Sequence, residues 1–192
     1  MRPTRPRDRI ISAATRLFNR EGIRGVGVNQ IIEEADVAPM TLYRQFGGKD
    51  QLVAATVGQW SAQWLRWLNT DVERRGGDPE QRLAALWDAL EYWFAAEDFR
   101  GSFVDNTASE LRGAPDHPAH EMISAHRAAM HQLLEDLAER TGADDPARLT
   151  AQLQVLVDGA VATAAVDREP AVAPGVRALA SAALAAAGSR AA

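Results

Sequence analysis

The chain has 192 residues, 24% of them charged, with a formal net charge of −5 and no cysteine. That length suits one compact domain or two small ones around a substantial core, and the lack of cysteine excludes a disulfide framework or a thiolate metal site. No apolar run follows the basic start at Arg2, Arg5, Arg7 and Arg9, so a secretory signal is not expected, and residues 159–166, the most apolar stretch, are too few to span a bilayer.

Residues 1–5 read as a loose basic arm, able to reach a duplex minor groove or simply to solvate the terminus. Pro6 leads into a helix over 7–21, where Ile10, Ala13, Ala14, Leu17 and Phe18 form the inward stripe and Gly22 ends the pattern. Residues 22–27 are turn-rich. Gly25 and Gly27 have no third glycine at the right spacing and no preceding strand, which rejects a dinucleotide fingerprint. A second helix is expected over 28–35, with Val28, Ile31, Ile32 and Ala35 at the three-and-four spacing of a buried face. Asp36 falls where this helix must stop and the chain reverse, and Asp tolerates left-handed backbone geometry.

Pro39 opens a short helix through Phe46. Leu42 and Phe46, four apart, share its inner face, whereas Thr41, Arg44 and Gln45 project outward and Met40 stands at the tip. Helix, four-residue turn and helix make a helix-turn-helix. An apolar inner face with a polar, cationic outer face suits insertion into a DNA major groove. The overall acidity does not oppose this once it is divided. Residues 1–50 carry nine Lys/Arg against six Asp/Glu, and residues 51–192 carry twelve against twenty. A basic head on an acidic body holds phosphate at one end only.

Beyond Lys49, helices are expected over 49–73, 79–96, 97–113, 115–141, 146–166 and 172–187, separated by 74–78, 142–145 and 167–170. No stretch reads convincingly as a strand, so the fold class is all-α. Trp60, Trp64 and Trp67 share one helical face, and Trp87 and Trp93 come from the next helix. Such an aromatic face either lines a pocket for a flat or greasy molecule or is plain core. Asp116, His117 and His120 are close enough in sequence for a carboxylate–histidine metal site, or else they are helix-end and surface residues. His120 lacks a second His four positions on, so there is no zincin motif. With no nucleophile elbow or phosphate loop either, no catalytic residue is expected and the chain does not read as an enzyme. Leu149, Leu153, Leu156, Val157, Ala160, Val161 and Ala164 make a long apolar stripe, and Leu179, Ala182, Ala183 and Ala186 another on the last helix.

The segments Ala35-Asp36-Val37-Ala38, Thr41-Leu42-Tyr43-Arg44-Gln45-Phe46 and Lys49-Asp50-Gln51-Leu52 together resemble the DNA-binding domain of the TetR family of transcriptional repressors. That pattern has an Ala-Gly-Val-(Ser/Ala) turn, then Thr-Leu-Tyr-x-His-Phe, then Lys-(Asp/Glu)-x-Leu, and the resemblance covers residues 10–53. This chain departs from it at Asp36, in lacking the hydroxyl usual near Val26 and Gly27, and in Gly48 where Ser or Asn is commoner. The resemblance implies an N-terminal three-helix helix-turn-helix domain over 1–48 and a helical ligand-binding and dimerisation domain over 49–192.

It further implies DNA contacts from Asn29, Ala38, Pro39, Met40, Thr41, Tyr43, Arg44, Gln45 and Lys49. It places a small-molecule effector in the helical body without singling out residues; the aromatic pattern suggests a place near Trp64, Trp67, Trp87, Trp93, Phe103 and His126. A homodimer would form through Leu153, Leu156, Val157, Ala160, Val161, Leu179 and Ala183. The expected partners are double-stranded operator DNA, the effector and a second copy, in the cytoplasm, with no cofactor, no metal and no membrane. Two alternatives stay open: a regulator of the same fold that answers to a metal or protein partner, and an α-helical metal-dependent enzyme.

Overall fold

Prolines at first turns, apolar residues at helical spacing and glycines at helix ends build the chain from helices. The computed structural model describes residues 5–167 and 172–188. The expectations for Arg2 in the basic arm and for the 168–170 joint lie outside these residues. In order the helices are α1 (Pro6–Glu21), α2 (Val28–Glu34), α3 (Pro39–Phe46), α4 (Lys49–Arg75), α5 (Pro79–Phe94), α6 (Phe103–Glu110), α7 (Ala119–Arg140), α8 (Pro146–Asp167) and α9 (Val172–Ala186), with one turn of 3-10 helix at Leu111–Gly113. Among the described residues there is no strand, as the all-α expectation requires.

Two boundaries differ from those expected. The helix predicted over 97–113 begins only at Phe103, because Gly101 has φ +85 and Arg100 spends its guanidinium on the carbonyls of Glu97 and Phe99. The helix predicted over 115–141 begins at Ala119. The preceding residues form tight turns instead, His117 N–H bonding Ala114 O at 3.1 Å and His120 N–H bonding His117 O at 3.1 Å.

The described chain divides into two compact units, one reaching to Gln63 and including Phe103–His126, the other holding Trp64–Ser102 and the chain from Arg127 onward. In the first unit Ile10, Leu17, Ile31, Leu42, Leu52 and Val57 share a core with Phe103, Val104 and Leu111. In the second, Leu68, Leu86, Trp87, Leu90, Leu134, Leu149 and Leu153 form the centre. Asp78 caps α5 by accepting from Gln81 N–H at 2.8 Å. Arg177 of α9 pairs with Asp88 and, at 3.4 Å, with Glu91 of α5. Near the end of α4, Asp71 is buried and paired with Arg74 and, at 2.6 Å, with Arg75.

Helix α8 corrects one expectation. It is long and apolar enough to cross a bilayer by length and composition, whereas the sequence reading found no apolar run of that reach. Its Leu149, Leu153, Val157 and Ala160 lie in the core of the second unit, and its Asp158 pairs with Arg127 at 2.9 Å. Core burial accounts for the apolar residues of that face, whereas Val155 and Val166 on the other are exposed.

Candidate functional site

The recognition element is built from α2, the reversal at Asp36 and α3. Asp36 has φ +49, the one non-glycine residue with positive φ among those described, and Arg9 Nη1 reaches its Oδ2 at 3.3 Å. Pro39 sits in the first turn of α3, and Gly47 closes the helix at φ +76 with its N–H on Tyr43 O at 2.8 Å. Leu42 is fully buried and Phe46 nearly so, which fixes the roll of the helix. The opposite face is consequently open. Met40 is 73% exposed and Tyr43 46%; Ala38, Pro39, Arg44 and Gln45 are exposed, as is Asn29 on α2, and Thr41 and Lys49 are half-buried. The nine expected DNA-contacting residues thus stay accessible.

Charge is distributed to the same end. Arg9 is engaged by Asp36, Arg16 by Glu34 at 2.8 Å and Arg20 by Glu21 at 2.6 Å. Arg24 donates to Glu110 O at 2.8 Å. Among the described residues no ion pair or side-chain hydrogen bond engages Arg44 or Lys49, and the Arg7 guanidinium lies over the Phe46 ring, 5.5 Å from its centroid. Helix α3 carries no acid. Its exposed face therefore offers uncommitted positive charge, polar reach and a slender apolar tip, which phosphate and base edges require.

The six residues expected around an effector fall in both units. Phe103 and His126 belong to the first unit, where both rings pack on Trp60 at 6.0 and 6.1 Å and His126 Nδ1 lies 2.9 Å from Ser61 Oγ. Trp64, Trp67 and Trp93 belong to the second, in a ring cluster with Trp64–Trp93 and Trp93–Phe99 centroids 5.0 Å apart. Trp87 stands on another face of α5. It is 2% exposed and lines a cleft of about 530 Å³ with Leu83, Ala84 and Leu184 and with the polar Glu80, Gln81 and Arg177, and its buried indole Nε1–H has no acceptor among the described residues. The Ser61–His126 pair was not anticipated. Sixty-five residues separate its members, and no local pattern marks such a contact.

The residues expected at a dimer seam differ in exposure within the single chain. Leu153, Val157, Ala160 and Val161 are at most 8% exposed, packed against their own chain. Leu156 and Ala183 are half-buried against the same core, and Leu179 is 59% exposed. The outward face of α8 is instead Val155, Gly159, Ala162 and Val166, and that of α9 is Gly175, Leu179, Ala182 and Ala186. Both stripes repeat at the same four-and-three spacing.

Asp116, His117 and His120 do not gather. His117 Nδ1 accepts from Ala119 N–H at 3.1 Å and its Nε2 faces Asp50 Oδ1 at 3.5 Å, while His120 Nε2 meets Ala114 O at 2.9 Å. Among the described residues no group of three metal-ligating side chains converges.

A helix-turn-helix whose second helix bares a cationic, acid-free face defines the head of a DNA-binding protein. The family model described as bacterial regulatory proteins of the tetR family matches residues 10–56. The helix-turn-helix transcriptional regulator LmrA of Bacillus subtilis is 37% identical over 106 residues, covering 54% of this chain and 56% of the relative. The chain spans about half the length of the curated relatives it resembles over the head. Whole-chain similarity comes from solved structures. A TetR-family regulator from Streptomyces coelicolor superposes with a TM-score of 0.85 at 29% identity, covering 95% of each chain. A TetR-type regulator from Streptomyces avermitilis superposes at 0.80 and 30% identity, covering 94% of this chain and 98% of its own. The chain belongs to the TetR family of transcriptional regulators, and its head is a DNA-binding domain.

Proposed function

We propose that two copies of this chain act in the cytoplasm as a repressor on a near-palindromic operator, and that a small, largely apolar molecule releases them. The observation that carries this reading is the open α3 face, with Arg44 on it and Lys49 at the start of α4, neither of them in an ion pair among the described residues. Tyr43, Thr41 and Lys49 hold phosphates, while Arg44, Gln45 and the Pro39–Met40 tip face base edges. The two heads lie roughly 34 Å apart, about one duplex turn, or somewhat more. The dimer forms through the outward stripes Val155-Gly159-Ala162-Val166 and Gly175-Leu179-Ala182-Ala186, where small residues let helices approach closely.

The cleft beside Trp87 is the candidate place for such a molecule, since its volume is in the range of ligand sites and its walls join Leu83, Ala84 and Leu184 to the polar Glu80, Gln81 and Arg177. Such a molecule shifts DNA binding only as far as it prefers the released conformation, and the operator weakens its binding by the same factor. Separate substitutions test the DNA-binding core of this reading. Gln45→Ala should cost about 1–3 kcal/mol on the preferred duplex and relax selectivity there. Lys49→Ala should weaken all sequences alike and flatten the salt dependence. Equal losses on selected and random duplexes for Gln45→Ala would refute this division of roles.

A further inference from the structure

The α1–α2 turn is held by a residue far outside the helix-turn-helix. Glu110, the last residue of α6, receives Ile23 N–H on Oε1 at 2.9 Å and Arg24 N–H on Oε2 at 3.0 Å, across 87 and 86 residues of sequence. Arg24 answers with its guanidinium, Nη2 donating to the Glu110 carbonyl at 2.8 Å. The contact is therefore reciprocal, the Glu110 carboxylate holding two amides of the turn and the Arg24 side chain reaching back to the end of α6.

Gly22 makes the approach possible. Its φ is +76, and a Cβ there would stand 3.1 Å from Glu110 Oε1. The turn then runs from Ile23, 5% exposed, to Val26, 1% exposed, and Gly27 begins α2. Helices α1, α2 and α3 close on one another through Ile10, Leu17, Ile31 and Leu42, whereas the backbone amides of the turn are tied by Glu110. Charge-assisted bonds to two successive amides fix both position and orientation. The same stretch of chain also reaches the first turn of α4, where His117 faces Asp50, the neighbour of Lys49.

We propose that Glu110 is a positioning residue for DNA binding. Its carboxylate sets the path of the chain into α2, and with it where Asn29 and α3 stand against the duplex, so that α6 and operator affinity are coupled. This rests on the operator-binding reading above.

The test uses the full chain and a duplex that the wild-type protein enriches from a random pool. Glu110→Ala, Glu110→Gln and Gly22→Ala are compared with wild type at a temperature where urea titration shows each fully folded. Amide exchange at Ile23 and Arg24 should accelerate in all three. Affinity for the enriched duplex should fall roughly fivefold or more, while affinity for a scrambled duplex changes little, so the ratio between them drops. If Glu110→Ala does not fold, Glu110→Gln, which keeps one acceptor, and Arg24→Ala carry the same readouts. Faster exchange with unchanged discrimination would reduce Glu110 to a structural clamp and overturn the proposal. Failure of the wild-type protein to enrich any duplex would instead overturn the operator reading, and this inference with it.

Discussion

Exchanging two valines on the outer face of α8 separates folding from assembly. Val155 and Val166 are 71% and 80% exposed, and fully burying a Val side chain is worth about 1.5–3 kcal/mol. Two valines on each of two copies therefore contribute roughly 4–9 kcal/mol to a seam, of the same order as the cost of association itself. Converting both to Glu removes that term and buries carboxylates without partners, each costing further kcal/mol. The double variant Val155→Glu/Val166→Glu should fold, sediment as a monomer at micromolar concentration and lose operator affinity. Val157→Glu is the control: at 4% exposure its side chain lies within its own core, so that variant should unfold. A double variant that still dimerises, beside a Val157→Glu protein that is folded and monomeric, would place the seam on the inner stripe and refute the assignment. A wild-type monomer at the same concentration would refute the dimer altogether.

Two further outcomes follow from burial and pairing. Leu42→Ala should cost about 2–5 kcal/mol in urea unfolding, because Leu42 is fully enclosed in the core that sets the roll of α3; a loss under about 1 kcal/mol would mean α3 is not held by that core. At Asp71, burial raises the carboxyl pKa, but Arg74 and Arg75 outweigh it and hold the group below its ordinary value. The folded state thus binds this proton less readily than the unfolded chain. The resulting stability is complete above the unfolded Asp value of about 3.9 and is lost as pH falls through the lower folded value. Asp71→Asn should flatten the stability curve in that acid window, and an unaltered acid limb would refute the pairing.

Sequence spacing exposed the head almost completely and the body only partly, for physical reasons. In α3 the contrast between Leu42 and Phe46 on one face and Arg44 and Gln45 on the other is steep, so periodicity alone orients the helix. The positive φ at Asp36 was equally foreseeable, since a reversal was needed where only Asp stood. Helix α8 offers no such contrast. Val155, Ala162 and Val166 are as apolar as Leu153, Val157 and Ala160, and only the packing of the remaining chain decides which stripe turns inward. Two of the three limits of the compact units were hidden for a related reason: they fall inside α4 and α7, where no proline, glycine or change of composition marks them, whereas the third, at Ser102–Phe103, follows Gly101. Contacts such as Glu110 with Ile23 and Arg24 join groups about ninety residues apart, and half of each contact is backbone, which carries no residue signature.

The head's charge count also changes meaning in three dimensions. Nine basic residues against six acidic ones suggest a weak, diffuse field. Yet Arg9, Arg16 and Arg20 take up Asp36, Glu34 and Glu21, and Arg24 is drawn to Glu110. Among the described residues, pairing thus cancels charge at Arg9, Arg16 and Arg20 and leaves Arg5, Arg7, Arg44 and Lys49 without an ion pair. Each phosphate so neutralised contributes about 0.9 to the salt exponent, which makes the contribution of a single head modest. Reach is limited in the same way. An eight-residue helix is about 12 Å long at 1.5 Å per residue, so it can face only a few base pairs spaced roughly 3.4 Å apart. One head therefore supplies neither the counterion release nor the sequence length that a specific site demands. In the proposed dimer, two heads joined through the outer stripes of α8 and α9 would double both, while the acid excess of residues 51–192 would keep phosphate away from the remaining surface.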